Sequence, residues 1–271
     1  MINLLKTDLM RVIKDKLLLI VTLIGVGFAI FTVFLYKILA VTAGAMPELL
    51  DMLAINAKTM FFSSFSLSNN YGLILPIFVA IIMCKDYSYG TMRNKIICGH
   101  SRTSIFISSF LTATVTMCAV IVIHAFLTLL LSLLFFDYQA APFDSSAFFY
   151  FVESFLLEIL VYIFASALIS FLCVWIKKSG VAIVAYAGIM LLFSLLGGII
   201  DIFASISSFN EQTLKVIEFV SNMNIFYSSA YIGLGTSYDA SMLVPQLISL
   251  VGGTALLVFL GILVFRRKDI K

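Results

Sequence analysis

Residues 105–136, IFISSFLTATVTMCAVIVIHAFLTLLLSLLFF, decide the fold. This stretch contains no Asp, Glu, Lys or Arg, and its apolar residues run on continuously instead of alternating. A helix needs about 20 residues to cross a bilayer, so the stretch is more than long enough. Lipid cannot satisfy backbone N–H and C=O groups, and a crossing segment must therefore be a helix or part of a closed barrel. The continuous pattern favours a transmembrane helix.

The rest of the chain repeats this pattern. Of its 271 residues, 62% are hydrophobic and 11% are charged, whereas soluble domains carry about 25% charged residues. The composition therefore excludes an ordinary soluble protein, and it predicts a single all-α transmembrane domain. Six spans are predicted, at residues 17–39, 67–84, 105–136, 149–176, 179–200 and 240–265.

The first span has an alternative interpretation as a cleaved signal peptide. Ala43, Gly44 and Ala45 have the small side chains typical of a cleavage site. The apolar stretch is longer than the roughly 7–15 residues usual in signal peptides, which favours a retained helix.

The basic residues predict the orientation. An arrangement of six spans places 14 of the 17 Lys and Arg residues on one side and leaves only Lys37, Lys58 and Lys215 on the other. Cytoplasmic loops carry the excess of Lys and Arg. We therefore expect a multi-pass protein of the plasma membrane with both termini on the cytoplasmic side. The net charge of +3 hides this asymmetry and gives no indication of nucleic-acid binding.

Outside the spans, the first 16 residues predict an amphipathic helix. Apolar residues are spaced between Lys6, Arg11, Lys14 and Lys16, which gives the helix a basic face. Such a helix suits the inner leaflet surface, although a simple positive-inside anchor explains the spacing equally well. Short helices are also predicted in the outer loops, within residues 201–239 and, more weakly, within residues 40–66.

A second surface helix is predicted at residues 92–98, between the second and third spans. Gly90 allows a turn, Thr91 is a good N-cap, and Gly99 lies where a C-terminal cap would end the helix. Seven residues are too few to cross a membrane. The segment is either a helix held at the cytoplasmic surface or a positive-inside loop with incidental caps, and the pattern leaves both open.

Three ionisable residues lie within the predicted spans. Such residues are costly in lipid and are functional candidates. Glu153 and Glu158 are five positions apart, about 140° around a helix, so they form no paired site. Both lie toward the outer end of the fourth span, where solvation at the interface is favoured over substrate contact. For His124, helix packing is favoured over a role as ligand or proton relay.

Motifs for enzymatic chemistry are absent from the sequence. No H-E-x-x-H, G-x-S-x-G or G-x-x-x-x-G-K-[ST] occurs, so neither a zinc hydrolase nor a P-loop is expected. The four isolated cysteines (Cys84, Cys98, Cys118 and Cys173) show no disulfide or zinc spacing. We expect no enzymatic activity and no cofactor or metal bound by this chain.

Residues 85–102, KDYSYGTMRNKIICGHSR, resemble the signature of ABC-2 type permeases. In that family an acidic residue and Gly-Thr precede a short helix, which ends in a small residue and a Ser-Arg that opens the third span. Asp86, Gly90-Thr91 and Ser101-Arg102 match this pattern, whereas many members carry a proline at Gly99-His100. The resemblance extends to the basic N-terminal helix, the six spans and the long outer loop before the sixth.

This resemblance implies a type V transporter fold in which the chain is one permease half of an ATP-driven exporter. A second copy or a similar permease, and separate ATP-binding cassette subunits holding ATP and Mg, are the implied partners. Family members of this size in Gram-positive bacteria often export peptide antibiotics or bacteriocins. A secondary transporter and a non-transporting scaffold or immunity protein stay open as alternatives.

The family's coupling helix, which docks on the ATPase, matches residues 92–98. If this segment docks, we expect its exposed face to carry Arg93 and Lys95, and Ile96 or Ile97 to fill a pocket of the partner. The residues implied in coupling are Gly90, Thr91, Met92, Arg93, Asn94, Lys95, Ile96, Ile97, Gly99 and Arg102.

Overall fold

The computed structural model describes residues 1–43, 56–67, 70–138, 144–206, 210–226, 229 and 240–268. Within these ranges every regular element is a helix, which confirms the predicted all-α class. The helices are α1 (Ile2–Ile13), α2 (Lys16–Ala43), α3 (Ala57–Phe65), α4 (Asn70–Ser88), α5 (Thr91–Ile97), α6 (Arg102–Ser132), α7 (Ser145–Ile176), α8 (Ser179–Ile206), α9 (Glu211–Asn222) and α10 (Ala240–Arg267).

Six of these helices, namely α2, α4, α6, α7, α8 and α10, are long and apolar enough to cross a membrane. They correspond to the six predicted spans. The largest difference is in α8, which continues to Ile206, six residues beyond the predicted end at 200. Helix α4 begins three residues later than predicted and continues to Ser88, four residues beyond the predicted end at 84. In this last turn Asp86 is buried and Lys85 pairs with Asp15. Pro76 lies inside α4 without interrupting it.

The bundle is built around α7. In the most apolar part of each helix, 61% of residues are buried in α7, compared with 22% in α2, 17% in α8 and 11% in α10. Helix α7 packs against α4, α6, α8 and α10, and so occupies the centre. The other helices expose many large apolar side chains. Exposed apolar faces of this kind suit lipid as the surrounding solvent.

The short helix α3 packs against α6. It begins with a capping box, in which the Asn56 side chain accepts a hydrogen bond from the Thr59 backbone N–H at 2.8 Å. Phe61, Phe62 and Phe65 are buried and stack with Phe151 and other rings of α7. The weakly predicted helix within residues 40–66 is thus partly confirmed as α3, while residues 44–55 lie outside the described residues.

The amphipathic helix predicted within residues 201–239 is confirmed as α9. Asn210 caps it by accepting a hydrogen bond from the Thr213 backbone N–H at 2.9 Å. It packs against α8 and α10.

Candidate functional site

Helix α1 docks on the bundle through an unexpected stripe. Leu4, Asp8 and Val12, four positions apart, are its buried residues. Two of these are apolar, as a docked amphipathic helix requires, but the central one is a carboxylate. The helix packs against α6, where the Ser108 hydroxyl donates a hydrogen bond to the Asp8 carboxylate at 2.8 Å. An inward-facing Asp in a helix rich in Lys and Arg indicates a specific polar contact.

Asp86, at the end of α4, binds α1 through an ion pair with Arg11. The Arg11 guanidinium donates two hydrogen bonds to the Asp86 carboxylate, one from each terminal nitrogen, and the Nη2–Oδ2 distance is 2.7 Å. Bidentate pairs of this kind fix geometry as well as energy. Burial lowers the pKa of Arg11, but the hydrogen bond and the charge of Asp86 outweigh it and raise the pKa above its usual value. The Arg11 guanidinium therefore stays protonated.

Lys95, in α5, completes the cluster. Its Nζ lies 2.7 Å from Asp8 Oδ1 and 3.8 Å from Asp86 Oδ2. Two carboxylates and two cations are thus brought together from α1, α4 and α5, and their formal charges cancel. We call Asp8, Arg11, Asp86 and Lys95 the charge cluster.

The end of the bundle that carries α1, α5 and the last turn of α10 is termed the basic end. Arg102, at the start of α6, donates hydrogen bonds to the backbone carbonyls of Arg266 at 3.0 Å and Lys268 at 2.6 Å. Lys268 in turn donates to the carbonyl of Val174, at the end of α7, at 2.9 Å. Cations here satisfy carbonyls at helix C-termini, where the helix dipole also favours positive charge.

Helix α5 is ended by a Schellman motif. The Gly99 N–H donates to the Ile96 carbonyl at 2.9 Å, and the His100 N–H donates to the Lys95 carbonyl at 3.2 Å. Gly99 has a φ of +84°, a conformation that side chains rarely adopt. The predicted C-terminal cap is confirmed. The predicted N-cap at Thr91 is wrong, because Gly90, with a φ of +69°, is the N-cap and Thr91 is the first helical residue.

The two faces of α5 have different surroundings. Met92 is buried in an apolar cluster with Leu4 of α1, Phe106 of α6 and Phe265 of α10. The opposite face exposes Arg93, Asn94 and Ile97, and Tyr89 lies just before it; Ile97 is 71% and Tyr89 is 76% exposed. We call Tyr89, Arg93 and Ile97 the outward face of α5.

This arrangement corrects the predicted face of α5. Lys95 was expected beside Arg93 on an exposed face, but it is buried in the charge cluster. Ile97, not the half-buried Ile96, is the exposed apolar residue. The reason is periodicity, since residues 93 and 97 are four positions apart and share a face, whereas residue 95 is two positions from each.

Comparison with known families gives a match over most of the chain. Residues 18–271 match the family described as "Protein of unknown function (DUF2705)". The chain belongs to this family. No curated protein matches it.

The three intramembrane candidates of this DUF2705 chain do not form one site. His124 lines a cavity of about 190 Å³, and neither glutamate lines it. The lining residues are Phe28, Phe31, Thr32, Leu35, Tyr36, Ser63, Ser64, Tyr71 and His124. Its Nδ1 lies 3.0 Å from the Gly25 carbonyl of α2, and its ring packs on Tyr71 at 4.3 Å between centroids. These contacts support the predicted packing role of His124.

The two glutamates differ in environment. Glu153 is half-exposed, whereas Glu158 is 0% exposed and lies near the middle of α7. Solvation at the interface, which was favoured for both, is therefore wrong for Glu158. The misjudgement arose because the helix begins four residues before the predicted span and places Glu158 about 20 Å from its first residue.

Sequence reasoning missed the partners of α5. Arg11 was interpreted only as part of a basic surface helix and Asp86 only as part of a motif, and Asp8 was not singled out. One signal was available. Asp8 replaces an apolar residue in the four-residue repeat Leu4, Asp8, Val12, and an acid on the apolar stripe of a basic helix predicts a buried cation partner. Which cation it meets depends on tertiary packing alone.

Proposed function

We propose that this DUF2705 chain is the permease subunit of an ATP-binding cassette exporter, with α5 as its coupling helix. In this proposal the basic end is cytoplasmic. A separate ATPase subunit docks there, and a second permease chain pairs with this one in the membrane. The resemblance of residues 85–102 to ABC-2 type permeases supports the proposal, and so does the absence of a P-loop from the sequence.

The observation that carries the proposal is the two-faced packing of α5. Met92 and Lys95 hold one face in the bundle, while Tyr89, Arg93 and Ile97 are presented to solvent. A seven-residue helix is too short to be stable alone, so its inward contacts determine its position. Exposed Tyr, Arg and an aliphatic side chain have the composition of an interface hot spot. A simple connecting loop needs neither feature.

The charge cluster explains how movement of α5 would reach the membrane. Lys95 ties α5 to α1, and Arg11 ties α1 back to the end of α4. Ser108 links the same cluster to the start of α6. A partner that displaces α5 would therefore displace the ends of α4 and α6 together. Coupling requires that the ATPase favours one of two arrangements of these ends.

The test is a double change on the outward face, Arg93→Glu with Ile97→Ala. Truncation of an apolar hot spot typically costs more than about 1 kcal/mol, and reversal of a rim charge slows association. Tagged chains expressed in the native host are purified, and co-purified ATP-binding cassette subunits are quantified by mass spectrometry. We expect recovery of the ATPase to fall at least about fivefold, the factor that corresponds to 1 kcal/mol.

The matched control is Leu214→Ala with Lys215→Glu on α9, which makes the same chemical changes at exposed positions of another short helix. It should leave ATPase recovery at the wild-type level. Equal recovery with both double variants, or recovery of no ATP-binding cassette subunit with the wild-type chain, would exclude the coupling function.

A second candidate, a secondary transporter, is favoured by the buried Glu158. Such transporters place ionisable residues near the bilayer midplane. Transport by the purified chain in vesicles without any ATPase, driven by an ion gradient, would support this candidate over the exporter.

A further inference from the structure

Helix α7 carries a continuous buried polar stripe. Ser154, Glu158, Tyr162, Ser166 and Ser170 follow one another at intervals of four residues, and each is 0% exposed. Residues four apart lie on one face of a helix, so these side chains form one row along the centre of the bundle. The row runs through a helix long and apolar enough to cross a membrane.

Helix α6 carries three buried threonines whose hydroxyls are satisfied within the helix. Thr112, Thr116 and Thr128 each donate a hydrogen bond to the carbonyl four residues earlier, at distances between 2.7 and 3.0 Å. Back-bonding of this kind is ordinary for Thr in helices and needs no ligand. Polar residues in a membrane helix are therefore not sufficient to indicate a site.

The stripe of α7 divides into a satisfied part and an unsatisfied part. Ser166 forms hydrogen bonds with Thr114 Oγ1 at 2.6 Å and with the Ile163 carbonyl at 2.7 Å, and Ser170 contacts the Met83 sulfur at 3.4 Å. In contrast, Ser154 Oγ, both carboxylate oxygens of Glu158 and the Tyr162 hydroxyl are buried without a hydrogen-bond partner among the described residues. Native proteins seldom leave such groups unpaired, and each case calls for an explanation.

A further unpaired oxygen comes from a neighbouring helix. The Tyr186 hydroxyl of α8 is buried without a hydrogen-bond partner among the described residues, and Tyr186 belongs to the same buried cluster as Tyr162. Tyr162, four residues after Glu158 on the same helix, also lies within electrostatic range of Tyr71 of α4 and Cys118 of α6. The titratable groups near Tyr162 are thus Glu158, two other phenols and a thiol.

No described cation compensates the charge of Glu158. The ion pairs of Arg11, Lys85 and Lys95 in the described part of the chain all lie at the basic end. On α10, the neutral Gln246 also has a buried side-chain oxygen with no hydrogen-bond partner among the described residues. An isolated carboxylate surrounded by protein has lost its hydration, and it requires a positive charge or a ligand that supplies one.

We propose that Ser154, Glu158, Tyr162 and Tyr186 form an intramembrane binding site for a monovalent cation. Carboxylate and hydroxyl oxygens are hard ligands, which suit alkali-metal ions, and a carboxylate also accepts a proton. Either species supplies the missing positive charge. The Glu158 carboxylate neutralises the charge of the bound cation. The hydroxyls of Ser154, Tyr162 and Tyr186 complete its coordination or hydrogen bonding. The site does not depend on the proposed ATPase partner.

The test measures the thermal unfolding midpoint of the purified full-length chain in detergent. One arm lowers the pH at fixed N-methyl-D-glucamine chloride. Two further arms replace that salt by NaCl or by KCl at constant pH and ionic strength. A ligand that binds only the folded state raises the midpoint as its concentration rises. We expect the unfolding midpoint of the wild type to rise relative to that of Glu158→Gln, either in the proton arm or in one of the two alkali arms. The arm that responds identifies the cation.

Glu153→Gln provides the matched control, because it removes a half-exposed carboxylate from the same helix. It should respond like the wild type in every arm. A Glu158→Gln variant that responds like the wild type would overturn the proposal. If that variant does not fold, Glu158→Asp, which keeps the carboxylate, should retain the response. A wild-type midpoint that is constant in all three arms overturns the proposal without any variant.

Discussion

The pair between Asp8 and Lys95 offers the sharpest test of the charge cluster. Lys95→Met keeps most of the length of the side chain and removes its charge. The Asp8 carboxylate, whose side chain is 3% exposed, then loses the cation at 2.7 Å. It keeps the Ser108 hydrogen bond, and it keeps Arg11 only at 3.9 Å. The variant therefore leaves the negative charge of the buried Asp8 carboxylate only partly compensated.

The magnitude follows from this partial compensation. Removal of one partner from a buried ion pair costs about 3–5 kcal/mol. Since Ser108 and Arg11 remain, we expect Lys95→Met to lower the free energy of unfolding by about 2–3 kcal/mol. Asp8→Asn keeps an acceptor for Ser108 and leaves Lys95 with Asp86 at 3.8 Å, and we expect a loss of about 1–2 kcal/mol.

The double variant distinguishes the pair from two independent effects. With both charges removed, no uncompensated carboxylate remains, and the combined loss should be about 2 kcal/mol instead of the sum of the single losses. The corresponding coupling energy is about 2 kcal/mol, within the range measured for contacting residues. Equilibrium unfolding of the four chains in mixed micelles, followed by circular dichroism, gives all the required free energies.

The outcome that refutes this reasoning is additivity. A coupling energy below about 0.5 kcal/mol is typical of exposed ion pairs. Such a value would mean that water reaches Asp8 and Lys95, and that α1 does not hold α5 through this contact. The link from α5 to α1 would then have to rest on Met92 and Leu4 alone.

Two further predictions concern α5 and the orientation. Gly99→Ala should lower the free energy of unfolding by about 1–2 kcal/mol, because the φ of +84° is costly for any residue with a Cβ. As a control in the same unfolding assay, Gly180→Ala should be neutral or slightly stabilising, because Gly180 is helical with open space around it. In intact cells, the exposed native Cys98 should resist an impermeant thiol reagent, whereas Ser146→Cys in a Cys98→Ser background should react; the reverse pattern would invert the proposed orientation.

The spans were predictable because they depend on composition within the chain. A continuous apolar run such as residues 105–136 has one stable form in lipid, whatever its neighbours. The helix caps were nearly as predictable as the spans, because the left-handed backbone conformation at position 99 favours glycine. The position of Gly90 as N-cap was missed because Thr91 has the stronger capping preference, and the left-handed turn at Gly90 moved the helix start by one residue.

The tertiary partners were not predictable from the sequence. Asp8 and Lys95 are 87 positions apart, and no periodicity in one chain connects them. Burial of Glu158 depended on its neighbours as well as on its depth along α7, because the sequence does not show which face of α7 meets α4, α6 and α8. The contrast between the hydroxyls of α6 and the unpaired oxygens of α7 likewise exists only in the packed structure.

The contacts of α5 form a closed ring, and this has a mechanical consequence. Lys95 binds Asp8 of α1, Arg11 of α1 binds Asp86 of α4, and α4 continues through Gly90 into α5. Asp15, between α1 and α2, extends the ring by accepting a hydrogen bond from the Leu17 N–H at 2.9 Å and by approaching Lys85 at 3.5 Å. The joint at Gly90 is itself spanned by Lys95 and Asp86, whose charged atoms lie 3.8 Å apart, so a displacement of α5 strains the charge cluster. Force applied to the outward face of α5 must therefore reach α2, α4 and α6 together, or break an ion pair that the Asp8–Lys95 cycle would detect.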